Sequence, residues 1–420
     1  MPKNIGFVST RFAGTDGVTL EASKWAQVLK SAGHNYFWFA GLLDRKPERS
    51  FLVPEAFFRH EKNRWIDEQI FGRKRRDPTV TDAIYELKTY LKKQLKEFIK
   101  TYNIELLIVQ NALTIPMHIP LGIALTELIA ETQIPTIAHH HDFYWERTRY
   151  LVNAVGDYLR MAFPPSLPNI EHVVINSAAQ EELALRTGIT SIIIPNVLDF
   201  ENPPDIDGKM TKDFRKTIKL ESNDIFILQP TRVVQRKGIE YAIELVEELG
   251  DPRYKLIISH EAGDEGRDYG NWLEEHARER GVDLRTLNLR ISDPMNPDVN
   301  RKDLATLWDV YPHADFITYP SLYEGFGNAF LEAVYFKKPL LINRYAIFVR
   351  DIEPKKFDLI AMDGYLTRKT VNKVREVLES PERREKMVNT NYETARRHYS
   401  YALLRRWLNT LLINFFGINE

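Results

Sequence analysis

Cysteine is absent from all 420 residues, which excludes structural disulfides, thiolate metal sites and thiol nucleophiles together. Charge of one sign is also missing. Lysine and arginine number 57 against 58 aspartates and glutamates, a formal net charge of −1, so no global field marks the chain as a nucleic-acid binder. Any anionic ligand must then be met by a local cluster. No apolar run reaches the roughly 18 residues that a bilayer span requires. Lys3, Arg11, Asp16 and Glu21 punctuate the N-terminal stretch, so no secretory leader is expected either. These absences favour the cytosol.

What is present is apolar alternation. Hydrophobic residues make up 44% of the chain, enough for two domains, each with its own core. Short apolar runs near Ile5, Tyr36, Leu106, Pro135, His172 and Ser191 alternate with helical patterns, the clearest from Asp82 to Tyr102 and from Leu20 onward. That is the signature of a parallel sheet covered on both faces. A polar, proline-bearing stretch from Glu201 to Asp213 reads as a linker. Beyond it the alternation restarts near Ile225, Tyr254, Phe316 and Pro339. The expected fold is α/β: two Rossmann-like, doubly wound domains facing across a cleft, divided between residues 200 and 201. Ligands of such sheets bind at the carboxyl ends of the strands.

Two clusters fall where that geometry wants them. The stretch SLYEGFGNAFLEAV follows an apolar strand and runs into a helix, with Glu324, then Gly325, Phe326, Gly327 and Asn328, then Glu332 about one turn inside. The glycines let backbone approach a ligand, the first helical N–H groups attract phosphate, and the two carboxylates accept bonds from hydroxyls. Sugar hydroxyls and a diphosphate suit this better than an all-anionic ligand; a purely structural turn, with Glu332 as an early-helix charge, would use the same residues. PTRVVQRKGIEYAIEL repeats the logic, placing Arg232, Arg236, Lys237 and Gly238 between a strand and a helix. Arg232 offers a bidentate fork and Lys237 a point charge.

Together these stretches resemble the C-terminal half of the retaining glycosyltransferases of family four, which have the GT-B fold. Glu324 and Glu332 match that family's signature of two glutamates separated by seven residues, and the segment from Ser259 to Leu273 is similar to what lies between its two motifs. The resemblance is strong over residues 220–340 and weak in the N-terminal half. It implies a hexosyltransferase using a nucleoside diphosphate sugar, such as a GDP- or UDP-hexose, with no tightly bound cofactor and no required metal. It further implies that Arg232 and Lys237 bind the diphosphate, that Glu324 touches the transferred sugar, and that Glu332 holds the ribose. The base would be chosen around Ser292 to Asp303. In GT-B proteins the last helix returns to the N-terminal domain, which assigns residues from about 398 to 420 to the acceptor-side domain and 201–397 to the donor side.

The N-terminal half supplies the acceptor candidates. Gly14 and Gly17 lie between the first strand and first helix, in a loop similar to the family's glycine-containing first loop but without its adjacent glycine pair. They form no dinucleotide fingerprint, since the third glycine of G-x-G-x-x-G is missing. His139, His140 and His141 end another strand; alternate side chains point to opposite faces, so three in a row do not converge on one metal. His141, before Asp142, matches a family histidine close to the sugar and is the catalytic candidate beside Glu324, Arg232 and Lys237. Arg147 and Arg149 offer charge for an anionic acceptor. The run from Gly72 to Asp77 reads as a solvated loop. YALLRRWLNTLLINFF aligns Leu404, Leu408, Leu411, Leu412 and Phe415 on one helix face; the alternative to packing is peripheral membrane contact through Arg405, Arg406 and Trp407. The resulting expectation is a retaining hexosyltransferase, with a small anionic acceptor such as a glycerate derivative. The alternatives are a lipid-linked or polysaccharide acceptor, or a non-catalytic nucleotide-sugar binder. A pyridoxal phosphorylase would need a lysine in a cofactor-like setting, and none is seen.

Overall fold

The computed structural model describes residues 2–14, 16–203, 214–259, 267–287 and 307–417. Most of the linker stretch, the segment 260–266 and the loop from Ser292 to Asp303 lie outside the described residues. The chain divides into two compact units, one running to Pro195 and resuming at Leu404, the other spanning Asn196 to Leu403.

The first unit is built on seven parallel strands: β1 (Asn4–Val8), β2 (Asn35–Ala40), β3 (Ser50–Leu52), β4 (Leu106–Gln110), β5 (Thr136–His140), β6 (Ile170–Val174) and β7 (Ile192–Ile193). Their order is β3-β2-β1-β4-β5-β6-β7, so chain progression reverses between β1 and β4. Every residue of β4 and β5 is buried, which is why both read as continuous apolar runs rather than alternating ones. Helix Pro78–Tyr102 covers the sheet with Val80, Ile84, Leu87, Leu91, Leu95 and Phe98 on its buried stripe. It starts earlier than the apolar pattern suggests because Asp77 caps it, accepting from the Thr79 amide at 2.9 Å, and proline is tolerated in its first turn. Helix Tyr401–Phe416 contributes Leu404, Leu408 and Leu411, all buried, to this unit from Leu404 onward. Strand β3 is too short to show a period in sequence; so are β10 (Leu284–Thr286) and β13 (Ile360–Met362) of the second unit.

The remaining strands of the second sheet are β8 (Ile225–Gln229), β9 (Tyr254–Ile258), β11 (Phe316–Tyr319) and β12 (Leu340–Asn343). The order β10-β9-β8-β11-β12-β13 is again all parallel, with its reversal between β8 and β11. Beneath that reversal the buried Thr318 hydroxyl donates to Gln229 Oε1 at 2.7 Å, and Gln229 Nε2 donates to Thr231 Oγ1 at 2.8 Å. Each sheet therefore has one switch point, where the loops leaving two adjacent strands diverge, the position at which sheets of this kind take ligands.

Histidine is a core residue in the first unit. His118 caps helix Ile119–Thr132: its Nδ1 accepts from the Leu121 amide at 3.1 Å while Nε2 donates to the Glu55 carbonyl at 2.8 Å. His140 bridges Thr114 Oγ1 (2.5 Å) and His172 Nδ1 (2.8 Å). Burial pushes His118 and His172 down to about 4 and His140 well below its ordinary value. Because folding lowers these groups beneath the unfolded value of 6.5, their neutral forms contribute stability above about pH 6.5 that is lost as pH falls toward the folded values. The loss is about 2 kcal/mol at pH 5 for each histidine held near 4. Denaturant unfolding followed at pH 7.5 and pH 5 is expected to show that drop, reduced in His118→Gln; a flat profile would contradict the neutral assignment.

Candidate active site

The second sheet brings its two sequence clusters together at the β8/β11 switch point. The loop after β8 carries Arg232, Arg236 and Lys237; the loop after β11 carries Glu324. Lys237 Nζ donates to Glu324 Oε1, and Arg236 adds a weaker contact to Oε2 at 3.4 Å. Lys237 is 9% exposed. Burial lowers its pKa, and Glu324 only partly restores it; burial would raise Glu324, but Lys237 first, with Ser321 and Arg236, more than offsets this and holds the carboxyl below the usual range. Arg232 is exposed beside the pair. Three cations against one carboxylate leave a surplus of positive charge at the mouth of the switch point, which an anion would neutralise.

Backbone geometry locks the two loops. Gly238, at φ 59°, ends the basic loop, and a Cβ there would sit 2.7 Å from the Pro320 carbonyl oxygen, so only glycine permits that approach. The Leu322 amide donates to the Arg236 carbonyl at 2.9 Å, tying the loops a second time. Gly327 adopts φ 124° before helix Asn328–Tyr335, and a Cβ there would lie 2.3 Å from the Tyr345 hydroxyl. That hydroxyl donates to the Phe326 carbonyl at 2.6 Å. Asn328 is held by Asn196 Nδ2 at 2.7 Å, and Glu332 accepts from the Tyr311 hydroxyl at 2.9 Å. The first amides of the helix have no intrahelical partner.

Sequence reasoning named Arg232, Lys237, Glu324 and Glu332 but missed the direct Lys237–Glu324 bond and the tyrosines that hold the turn. Tyr345 lies just past β12, one strand beyond the motif; its only sequence signal is that position.

In the first unit, the ends of β4 and β5 meet beside the β1/β4 reversal. Asn111 Oδ1 accepts from the His141 amide at 2.8 Å, and its Nδ2 donates to Asp142 Oδ1 at 2.9 Å. His141 Nε2 lies 3.1 Å from Gln110 Oε1, so it carries the proton there and leaves Nδ1 as an acceptor. Burial lowers His141 to about 4 despite Asp142 and Asp16, and the ring is neutral at pH 7. His139 is fully buried, stacked on Trp25 at 4.3 Å and beside His141 at 4.4 Å, while His140 turns the other way toward His172. Arg147 is engaged by Asp142, its Nε donating at 2.7 Å. Arg149 bonds the Tyr150 hydroxyl. The Gly14 amide donates to Asp44 Oδ2 at 2.8 Å, and Gly17 opens helix Gly17–Ser31, capped by Asp16. Among the described residues no group of three histidine, aspartate or glutamate side chains could hold a metal ion, and no helix is long and apolar enough to cross a membrane.

A family model described as "Glycosyl transferases group 1" matches residues 210–394. The chain is 34% identical to the mannosylglucosylglycerate synthase of Petrotoga mobilis over 85% of this chain and 86% of that one. It is 30% identical to the synthase of the same name from Thermotoga maritima, over 95% and 97% of the two chains. A glycosyltransferase structure from Rickettsia africae superposes with a TM-score of 0.69 at 14% identity, covering 100% of this chain and 99% of that one. Two α/β units on parallel sheets with these likenesses define a GT-B glycosyltransferase. Within that class the chain belongs to the group 1 glycosyltransferase family that includes the two mannosylglucosylglycerate synthases.

Gly327→Ala is expected to destabilise the second unit by about 1–3 kcal/mol, since it combines a left-handed backbone with a clash on Tyr345. Thermal unfolding of the variant beside wild type checks this; an unchanged melting temperature would contradict the packing described.

Proposed function

We propose that this enzyme transfers a hexosyl group, mannosyl by the names of its relatives, from a nucleoside diphosphate sugar to a glucosylglycerate-type acceptor. The reading is carried by the Lys237–Glu324 pair at the β8/β11 switch point, with the surplus cations Arg232 and Arg236 beside it. A donor diphosphate would accept bonds from Arg232 and Lys237 and from the amides between Gly325 and Asn328. Glu324, its charge fixed by Lys237, would accept from hydroxyls of the transferred sugar, and Glu332 from those of the ribose. His141, neutral and oriented by Gln110, would offer Nδ1 toward the sugar from the acceptor side, with Gly14, Gly17, Arg147 and Arg149 nearer the acceptor.

The chemistry that suits this set is substitution on one face of the sugar. The bond from the anomeric carbon to the phosphate oxygen breaks, the acceptor oxygen bonds the same carbon from the same side, and its proton passes to the departing phosphate. The anomeric configuration is then retained. Catalysis comes from placing fixed positive charge where negative charge develops, and the same cations take the role a divalent ion would otherwise fill.

Incubating the enzyme with GDP- and UDP-linked mannose and glucose, with glucosylglycerate as acceptor, is expected to give a product with the donor's anomeric configuration by NMR. No product with any donor, or an inverted one, would contradict the reading. Lys237→Ala should lower kcat by roughly 10- to 100-fold, the worth of one charge-assisted bond, with little change in acceptor KM; equal losses in both would remove Lys237 from the diphosphate. Activity should also survive chelation with EDTA, and a requirement for added magnesium would show that the cations alone do not suffice.

A further inference from the structure

The first unit holds a cavity of about 560 Å³ lined by helix Glu61–Ile70, helix Pro78–Tyr102 and the turn Pro54–Ala56. Its walls follow from helical spacing. On the first helix Glu61 and Trp65, and likewise Lys62 and Ile66, stand four residues apart and so share a face; on the second, Glu86 and Tyr90 do the same. Ile66 and Leu87 are buried and give the cavity an apolar floor. At one end the Tyr90 hydroxyl donates to Glu55 Oε2 at 3.2 Å, tying the second helix to the turn. None of these residues is among those gathered at the β1/β4 reversal.

Two features of the lining, its rings and its charge, suit a ligand. Trp65 is 44% exposed and Tyr90 39%. Single apolar side chains on a surface need no explanation, but here two large aromatic rings line one hollow. Three carboxylates, Glu55, Glu61 and Glu86, stand against the single ammonium of Lys62, so two negative charges are in surplus. Glu61 and Glu86 pair with no cation among the described residues, and the Glu55 carboxyl is bonded by a neutral phenol. The carboxylates are too dispersed for an inorganic cation, since among the described residues no group of three acidic or histidine side chains could hold a metal.

We propose that this cavity binds an organic ammonium ion, its charged head against Trp65 and Tyr90 with the three glutamates around it and its carbon skeleton on Ile66 and Leu87. The face of an aromatic ring attracts a cation through its quadrupole, more strongly as water is excluded. The surplus carboxylates add Coulomb attraction, and the volume is that of an ordinary small-molecule site. An uncharged sugar would stack on the same rings and give hydroxyls to the same carboxylates, but it would leave the surplus charge unbalanced. The charge of the lining therefore selects the cation.

Calorimetric titration of the full chain with choline and with putrescine tests this, beside dimethylbutanol, the uncharged carbon isostere of choline, and methyl mannoside. One molecule of at least one of the two ammonium ions is expected to bind per chain, with an affinity that falls as sodium chloride is raised and with the uncharged isostere roughly ten-fold weaker than choline. Trp65→Ala should weaken that binding roughly 3- to 30-fold, and Trp65→Phe by less. The double variant Glu61→Gln, Glu86→Gln should weaken it at an unchanged melting temperature, which separates lost charge from lost folding. No binding of either ammonium ion, equal binding of the isostere, preference for methyl mannoside, or undiminished binding in Trp65→Ala would overturn the proposal. The titration needs no turnover, so its result stands apart from the transfer reading.

Discussion

The ion pair between Lys237 and Glu324 is the constraint on which the second unit's site depends. Eighty-seven residues separate the partners, and only the β8/β11 adjacency brings their loops together. Burial disfavours the charge on each; removing Glu324 would leave Lys237 a buried charge among like-charged neighbours, typically a cost of about 3–5 kcal/mol, while Glu324 without Lys237 keeps only the weaker contact with Arg236. Gly238 and Gly327 then follow as necessities, one letting the basic loop pass under Pro320, the other letting the glycine turn pass under Tyr345. The pair neutralises one cation and leaves Arg232 and Arg236 in excess, so a single arrangement fixes both the shape and the sign of the site.

The first unit reaches its site by a different route. Its strand-end histidines are neutral because they are buried, and each is oriented by a hydrogen bond or ring contact with a neighbour: Gln110 for His141, Thr114 and His172 for His140, Trp25 for His139. Charged groups stand around them, Arg147 with Asp142 and the buried Lys24–Glu21 pair, whose lysine acts on His141. The second unit thus concentrates positive charge at its switch point, while the strand-end histidines of the first are neutral.

Much of this was legible in the residues. The apolar runs near Ile5, Tyr36, Leu106, Pro135, Ile225, Tyr254, Phe316 and Pro339 all became strands, because most of their residues are buried and so carry a nearly continuous apolar signal, the exposed start of β2 and Lys255 in β9 excepted. Strands β3, β10 and β13, three residues apiece, carry no period to detect. The basic loop and the glycine turn were visible as motifs, since each lies between a strand and a helix within a few residues. Their direct bond was not, because sequence places Lys237 and Glu324 in separate segments and only topology joins them.

Thermal unfolding of wild type and Lys237→Ala across a panel of nucleoside diphosphates tests the central claim most directly, because a ligand that binds only the folded state raises the melting temperature by mass action. If the Lys237–Glu324 switch point is a diphosphate site, one nucleoside diphosphate will raise the wild-type melting temperature and the variant will not respond. No rise with any of them, or the same rise in both proteins, would mean that the ion pair only holds two loops together.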